Sequence, residues 1–220
     1  GAKIISMSLG GPAESSAERA AATNLKASGI LLVAAAGNDA FNIDGLSIFR
    51  SYPASYNLAN QINVAATTAT GGLASFSNYG RTSVHVGAPG NAIVSTYSTT
   101  AVGSTGYASL SGTSMAAPHV TGVAALLRGR MPGWTVAQVK AAILSTVKPL
   151  SSLTTRTVTG GTVSAFKALQ TTIVESVPPV ATATRSIAPG NLGWNNAAVT
   201  LTMTATDEQG GSGVRDIRYT

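Results

Sequence analysis

The sequence predicts an α/β fold of three layers built on a mostly parallel sheet, followed by the opening of a separate all-β sandwich. Three observations predict it. Short apolar runs alternate with stretches of helical spacing, one of those runs is apolar at every position, and after Ile173 the texture changes to strict two-residue alternation.

Residues 3–9 (KIISMSL) read as a short strand closed by Gly10-Gly11-Pro12. Ser15 with Glu18 forms a capping-box pattern, Ala17, Ala20, Ala21 and Leu25 recur at helical spacing, and Gly29 supplies the stop. Ile30–Ala36 is continuously apolar and ends in Gly37-Asn38, as expected of a parallel strand buried on both faces. Strand, helix and buried strand together make a right-handed crossover. Further strands are expected over 62–66 and 83–87. Ser114–Arg128, dense in Ala, Val and Leu, reads as a buried helix, and Pro118 is expected about one turn in, where a missing N–H costs least. Thr135 with Gln138 marks a capped helix running to about residue 146, and 163–169 a last short one.

Val177-Pro178-Pro179 signals a linker, assigned to residues 173–190. From 199 onward Val199, Leu201 and Met203 share one face and Thr200, Thr202 and Thr204 the other, and a second strand is expected from Val214. This predicts that residues 191–220 open an antiparallel sandwich that is cut off at Thr220, since about 45 residues cannot close such a core.

Charged residues are only 10% of the 220 and hydrophobic ones 44%, which describes a packed chain and excludes a disordered one. The net charge of +6 comes from scattered lysines and arginines with no basic run, so a nucleic-acid partner is not expected. There is no cysteine, hence neither disulfide framework nor thiolate metal site, and no apolar run approaches the roughly 20 residues that span a bilayer.

The chemistry lies in Ser111-Gly-Thr-Ser114-Met-Ala-Ala-Pro-His119. A serine just after a Gly-Thr corner, at the start of a small-residue helix, meets unpaired backbone N–H groups and the positive end of the helix dipole. Acyl transfer needs its nucleophile in that setting. Asn38 ends a buried strand, where its amide points into the crevice of an open α/β sheet and can donate to an oxyanion.

These segments, with Ser6-Met-Ser-Leu-Gly-Gly11, Tyr52-Pro-Ala54, Phe76-Ser-Asn-Tyr-Gly80 and Ala88-Pro-Gly90, resemble the subtilisin-like serine proteases, or subtilases, over residues 1–172. The resemblance implies a serine endopeptidase with Ser114 as nucleophile, and an oxyanion hole formed by the Ser114 N–H and the Asn38 side chain. It implies that Ser8, Leu9 and Gly10 are an edge that pairs with substrate backbone, that Ala35 and Gly37 line the pocket for the residue before the scissile bond, and that Ser51 lies at that pocket's floor. Polypeptides are the implied partner, and the implied setting is secreted and bacterial. The tail resembles bacterial immunoglobulin-like modules, which would hold the protein at the cell surface. No cofactor is implied by the residues; the family fold allows calcium, but no acidic cluster here supplies its ligands.

Subtilases carry Asp, His and Ser in that order, and the Asp and His motifs are absent here, so the fragment is expected to be inactive alone, with both groups lying before Gly1. His119 stands five residues beyond Ser114, about 140° around the helix, and is expected to be a packed or hydrogen-bonded core residue. Among residues 1–170 the carboxylates are Glu14, Glu18, Asp39 and Asp44. The first two suit a helix's first turn and Asp39 a solvated loop. Two other readings stand beside the protease: a catalytically dead subtilase fold used for binding, and a fragment of a surface adhesin.

Overall fold

Strand β1 (Ile4–Met7), helix α1 (Ser16–Ala27) and strand β2 (Leu31–Ala35) form the expected crossover, with β1 and β2 parallel and Ile4 opposite Leu31. In this computed structural model residues 1–98, 100, 106–171, 180–186 and 198–206 are described. Two units are distinguished, residues 1–171 and 172–220.

Helix α1 is capped at both ends. Ser15 Oγ accepts from Glu18 N at 3.2 Å, but Glu18 does not reach back to Ser15 N as the capping box requires. Tyr56 takes that place: its hydroxyl accepts from Ser15 N at 3.0 Å and lies 2.9 Å from both Glu18 Oε2 and Ser15 O. At the other end Gly29 adopts φ +64°, and the bonds Gly29 N to Lys26 O and Ile30 N to Leu25 O close a Schellman motif.

The sheet continues in parallel through β3 (Gln61–Thr67) and β4 (Val86–Pro89), then β8 (Gly161–Thr162), with β7 (Lys148–Pro149) antiparallel at the far edge. Every residue of β2 and β3 is buried, so the sheet is covered on both faces. Strand β4 runs over 86–89 where 83–87 was expected, because 81–83 forms a turn braced by Asp44, which accepts from Thr82 N at 2.7 Å and Ser83 N at 3.0 Å. A two-stranded antiparallel ribbon, β5 (Ile93–Thr96) with β6 (Tyr107–Leu110), leads into helix α2 (Thr113–Arg130), which packs across β1 to β4. Its buried residues include Ala116, Ala117, Val120 and Ala124, and these small side chains let the helix lie close to the sheet. Thr135 caps α3 (Val136–Ser145) with a complete capping box, and Ser164 caps α4 (Ala165–Leu169).

The position of Pro118 corrects an expectation. Helix α2 begins at Thr113, so Pro118 is its sixth residue, past the four whose N–H groups need no helical partner. Its missing N–H leaves the carbonyl of Ser114 without its i+4 donor.

In the second unit β10 (Leu201–Thr206) pairs antiparallel with β9 (Val180–Arg185), Leu201 opposite Arg185. The strand partner therefore lies inside the stretch read as linker, where Val180-Ala-Thr-Ala-Thr carries the same alternation behind the two prolines. The strand expected from Val214 lies outside the described residues.

Candidate active site

The loops that leave the C-terminal ends of β1 and β2 meet the N-terminus of α2. Leu9, Gly10, Ala35, Gly37, Asn38 and Ser51 line, with Ser114, one cleft of about 500 Å³. Ser8 sits at its edge, joined to Ser114 by two bonds: Ser8 Oγ donates to Ser114 O at 2.8 Å and Ser114 Oγ donates to Ser8 O at 3.1 Å. Gly11 and Tyr52 exchange backbone hydrogen bonds of 2.9 and 2.8 Å, which bring Ser51 alongside the loop after β1.

Ser51 is buried, and its Oγ lies 2.8 Å from where a Cβ on Gly37 would stand and 3.3 Å from one on Gly10. Gly37 adopts φ +104°, and a Cβ there would also lie 2.2 Å from Asn78 Nδ2. Both the conformation and the close approach require glycine. Asn78, fully buried, shapes this loop by accepting from Asp39 N at 3.0 Å and Phe41 N at 2.9 Å, while its Nδ2 donates to Ala36 O at 3.0 Å. It lies in a segment that carries the family resemblance, but nothing local in the sequence assigns it this task.

Thr113 is the residue that sequence reasoning missed at the centre of the site. Its N–H and its Oγ–H both donate to Asn38 Oδ1, at 2.8 and 2.9 Å, while its Oγ accepts from Gly37 N at 3.1 Å. Two donors on Oδ1 fix which way the Asn38 amide faces, because the flipped amide would set N–H against N–H. Among the described residues neither Asn38 Nδ2 nor Ser114 N has a hydrogen-bond partner. The first turn of α2 thus spends its Thr113 N–H on orienting Asn38 and keeps the Ser114 N–H open.

Three of the segments that shape this cleft lie far apart in the chain, and a model of the subtilase family matches them together over residues 1–176. The chain belongs to the subtilase family. It is 43% identical over 170 residues to thermitase of Thermoactinomyces vulgaris, covering 77% of this chain and 55% of thermitase. An extracellular protease of Xanthomonas campestris is 39% identical over 153 residues, 68% of this chain and 25% of that protein. Among solved structures, a protease from Pseudoalteromonas arctica superposes with a TM-score of 0.65 at 34% identity, over 76% of this chain and 50% of that one. The chain spans a quarter to about half the length of these relatives.

Among the described residues no titratable side chain is hydrogen-bonded to Ser114, although Asp39 lines its cleft and His119 lines a second pocket beside it. His119 is exposed, which corrects the core assignment, and its Nδ1 lies 2.9 Å from Met115 O. His85 is buried near β3, where its Nδ1 accepts from Asn63 N at 3.0 Å. Burial, reinforced by the Lys140 ammonium, lowers its pKa to about 3, and burial lowers Lys140 itself to about 8. Asp44 feels burial first, which raises its pKa, but the hydrogen bonds from Ser83 and Thr82 outweigh it and hold the carboxyl below its ordinary value. Asp39 lines the cleft and lies 3.4 Å from Asn78 Nδ2. Among the described residues no group of three His, Cys, Asp or Glu side chains stands together in a way that could hold a metal ion. No helix among them is long and apolar enough to cross a membrane.

Proposed function

We propose that residues 1–172 are the nucleophile-bearing part of a serine endopeptidase. The observation that carries this reading is the pair of uncommitted donors, Ser114 N–H and Asn38 Nδ2–H, beside the Ser114 hydroxyl. A base takes the proton of Ser114 Oγ as that oxygen attacks the scissile carbonyl carbon. The carbonyl oxygen becomes an oxyanion that accepts from the two donors, the C–N bond breaks with proton transfer to the leaving amine, and water then hydrolyses the acyl ester. Substrate backbone lies along Ser8–Gly10, and the side chain before the scissile bond enters the space bounded by Ala35, Gly37 and Ser51.

The family's order of Asp, His and Ser, of which only the serine motif stands here, implies that the general base and its orienting acid come from outside these 220 residues. The protein is secreted, in keeping with a relative named an extracellular protease. Residues 173–190 link to an immunoglobulin-like sandwich opening within 191–220; the antiparallel pairing of β9 with β10 favours such an all-β module and brings part of the linker into it. The test is Ser114→Ala in the complete protease, assayed on casein and a fluorogenic peptide. Loss of hydrolysis by roughly 10⁶-fold is expected, the scale established for subtilisin itself rather than obtained from this geometry. Comparable turnover by the folded variant would overturn the assignment.

A further inference from the structure

We infer that the Ser8 side chain is a positioning residue for the nucleophile, standing in for the backbone donor that Pro118 removes. The inference rests on the endopeptidase reading and deepens it. In a regular α-helix the carbonyl of residue 114 accepts from the N–H of residue 118. Position 118 is proline, so that N–H does not exist, and the orphaned carbonyl belongs to the residue whose hydroxyl does the chemistry. Ser8 Oγ–H fills the vacancy at 2.8 Å, from a residue 106 positions away on the strand exit that flanks the cleft.

The replacement carries a consequence that an ordinary helical bond would not. An N–H from residue 118 would hold Ser114 only to its own helix, whereas the Ser8 hydroxyl holds it to the edge along which substrate lies. The second bond, Ser114 Oγ to Ser8 O at 3.1 Å, is given up when the base takes that proton, which leaves the Ser8 hydroxyl as the lasting tie between the two residues. Two turns further on, Thr121 Oγ1 lies 3.0 Å from Ser6 Oγ, a second tie between this strand and this helix. The distance between the attacking oxygen and the substrate carbonyl is therefore set by Ser8. Small errors in such a distance are expensive for the rate and cheap for binding. Water can reach Ser114 O if Ser8 is truncated, so the loss falls on placement more than on stability.

The test is a double-mutant cycle in the complete protease. Ser8→Ala is expected to lower kcat about tenfold with KM within about twofold, and Ser8→Thr, which keeps a hydroxyl, to stay within about threefold of the parent. Pro118→Ala restores the N–H at 118, so Ser8→Ala made in that background is expected to cost no more than about threefold. The ¹³C shift of the Ser114 carbonyl, measured in residues 1–220, is expected to move in Ser8→Ala and return in the double variant. Equal cost of Ser8→Ala with and without Pro118, or a Ser114 carbonyl shift indifferent to Ser8, overturns the inference. A parent protease that hydrolyses nothing, with the carbonyl shift still responding to Ser8, instead counts against the endopeptidase reading.

Discussion

Two polar clusters sit on the same sheet and spend their hydrogen bonds in opposite ways. Around β3, Asn63 Nδ2 donates to Ala54 O and Ser83 O, Asn63 Oδ1 accepts from Gln61 Nε2, and His85 Nδ1 accepts from Asn63 N. The side-chain groups left over there, Asn60 Oδ1 and Gln61 Oε1, are acceptors sealed from water. At the cleft the surplus is donors, Asn38 Nδ2 and Ser114 N, and they face open space. Polarity alone does not separate the two clusters. A surplus of donors where an anion can arrive marks the site, whereas a closed circuit marks the core.

Breaking the cleft donor has the largest effect expected of this contrast. Asn38→Leu in the complete protease should lower kcat by about 10²- to 10³-fold with little change in KM, because the amide meets a charge present only in the transition state. A loss expressed mainly in KM would make Asn38 a residue that binds the substrate's ground state.

Breaking the core circuit should cost stability and leave turnover alone. The folded pKa of His85 is depressed to about 3 from an ordinary 6.5. Its contribution is therefore complete above pH 6.5 and lost as pH falls toward 3, since the unfolded chain takes up a proton that the folded one refuses. Protonation would also set an N–H of the ring against Asn63 N–H. From pH 7 to pH 5 this group should account for a loss on the order of 2 kcal/mol. Urea melts of residues 1–220 at both values check it, and His85→Gln should flatten that part of the profile. An unchanged slope in the variant would show that other groups set the acid limit.

The smallest effect sharpens the comparison, because it concerns how the free donors are kept free. Thr113→Val removes the Oγ–H bond to Asn38 and the acceptor for Gly37 N, but leaves the Thr113 N–H bond in place. About a tenfold fall in kcat is expected, measured with KM under the same conditions. A fall as large as that of Asn38→Leu would mean that the amide turns over once the hydroxyl is gone.

What the sequence made legible follows the range of the interaction. The β1–α1–β2 crossover, the caps at Ser15, Thr135 and Gly29, and the gathering of Asn38 and Ser114 at one helix N-terminus all rest on patterns a few residues long or on a family motif. The features that were not legible join residues far apart. Thr113 orients Asn38 from 75 positions away, Ser8 reaches Ser114 across 106, and Asn78 shapes the loop at 39–41 from a distance of nearly forty. Tyr56 displaced the expected capping partner of Ser15 for the same reason. His119 was expected in the core from its helical phase, yet the face it occupies is exposed. In the second unit Pro178-Pro179 dominated the reading, and the alternation at 180–185 that pairs with β10 was absorbed into a linker.

The central claim is that this segment supplies the nucleophile and its oxyanion donors, while the base comes from elsewhere in the protein. Labelling with a fluorophosphonate tests it most directly, because the probe needs an activated serine. Residues 1–220 alone and the complete protease should be treated side by side, and the labelled peptide identified by mass. The account predicts stoichiometric labelling of Ser114 in the complete protease and none in the isolated segment, where the hydroxyl rests on Ser8 O. Stoichiometric labelling of Ser114 in the segment by itself would contradict it and turn attention to Asp39, His85 and His119 as bases.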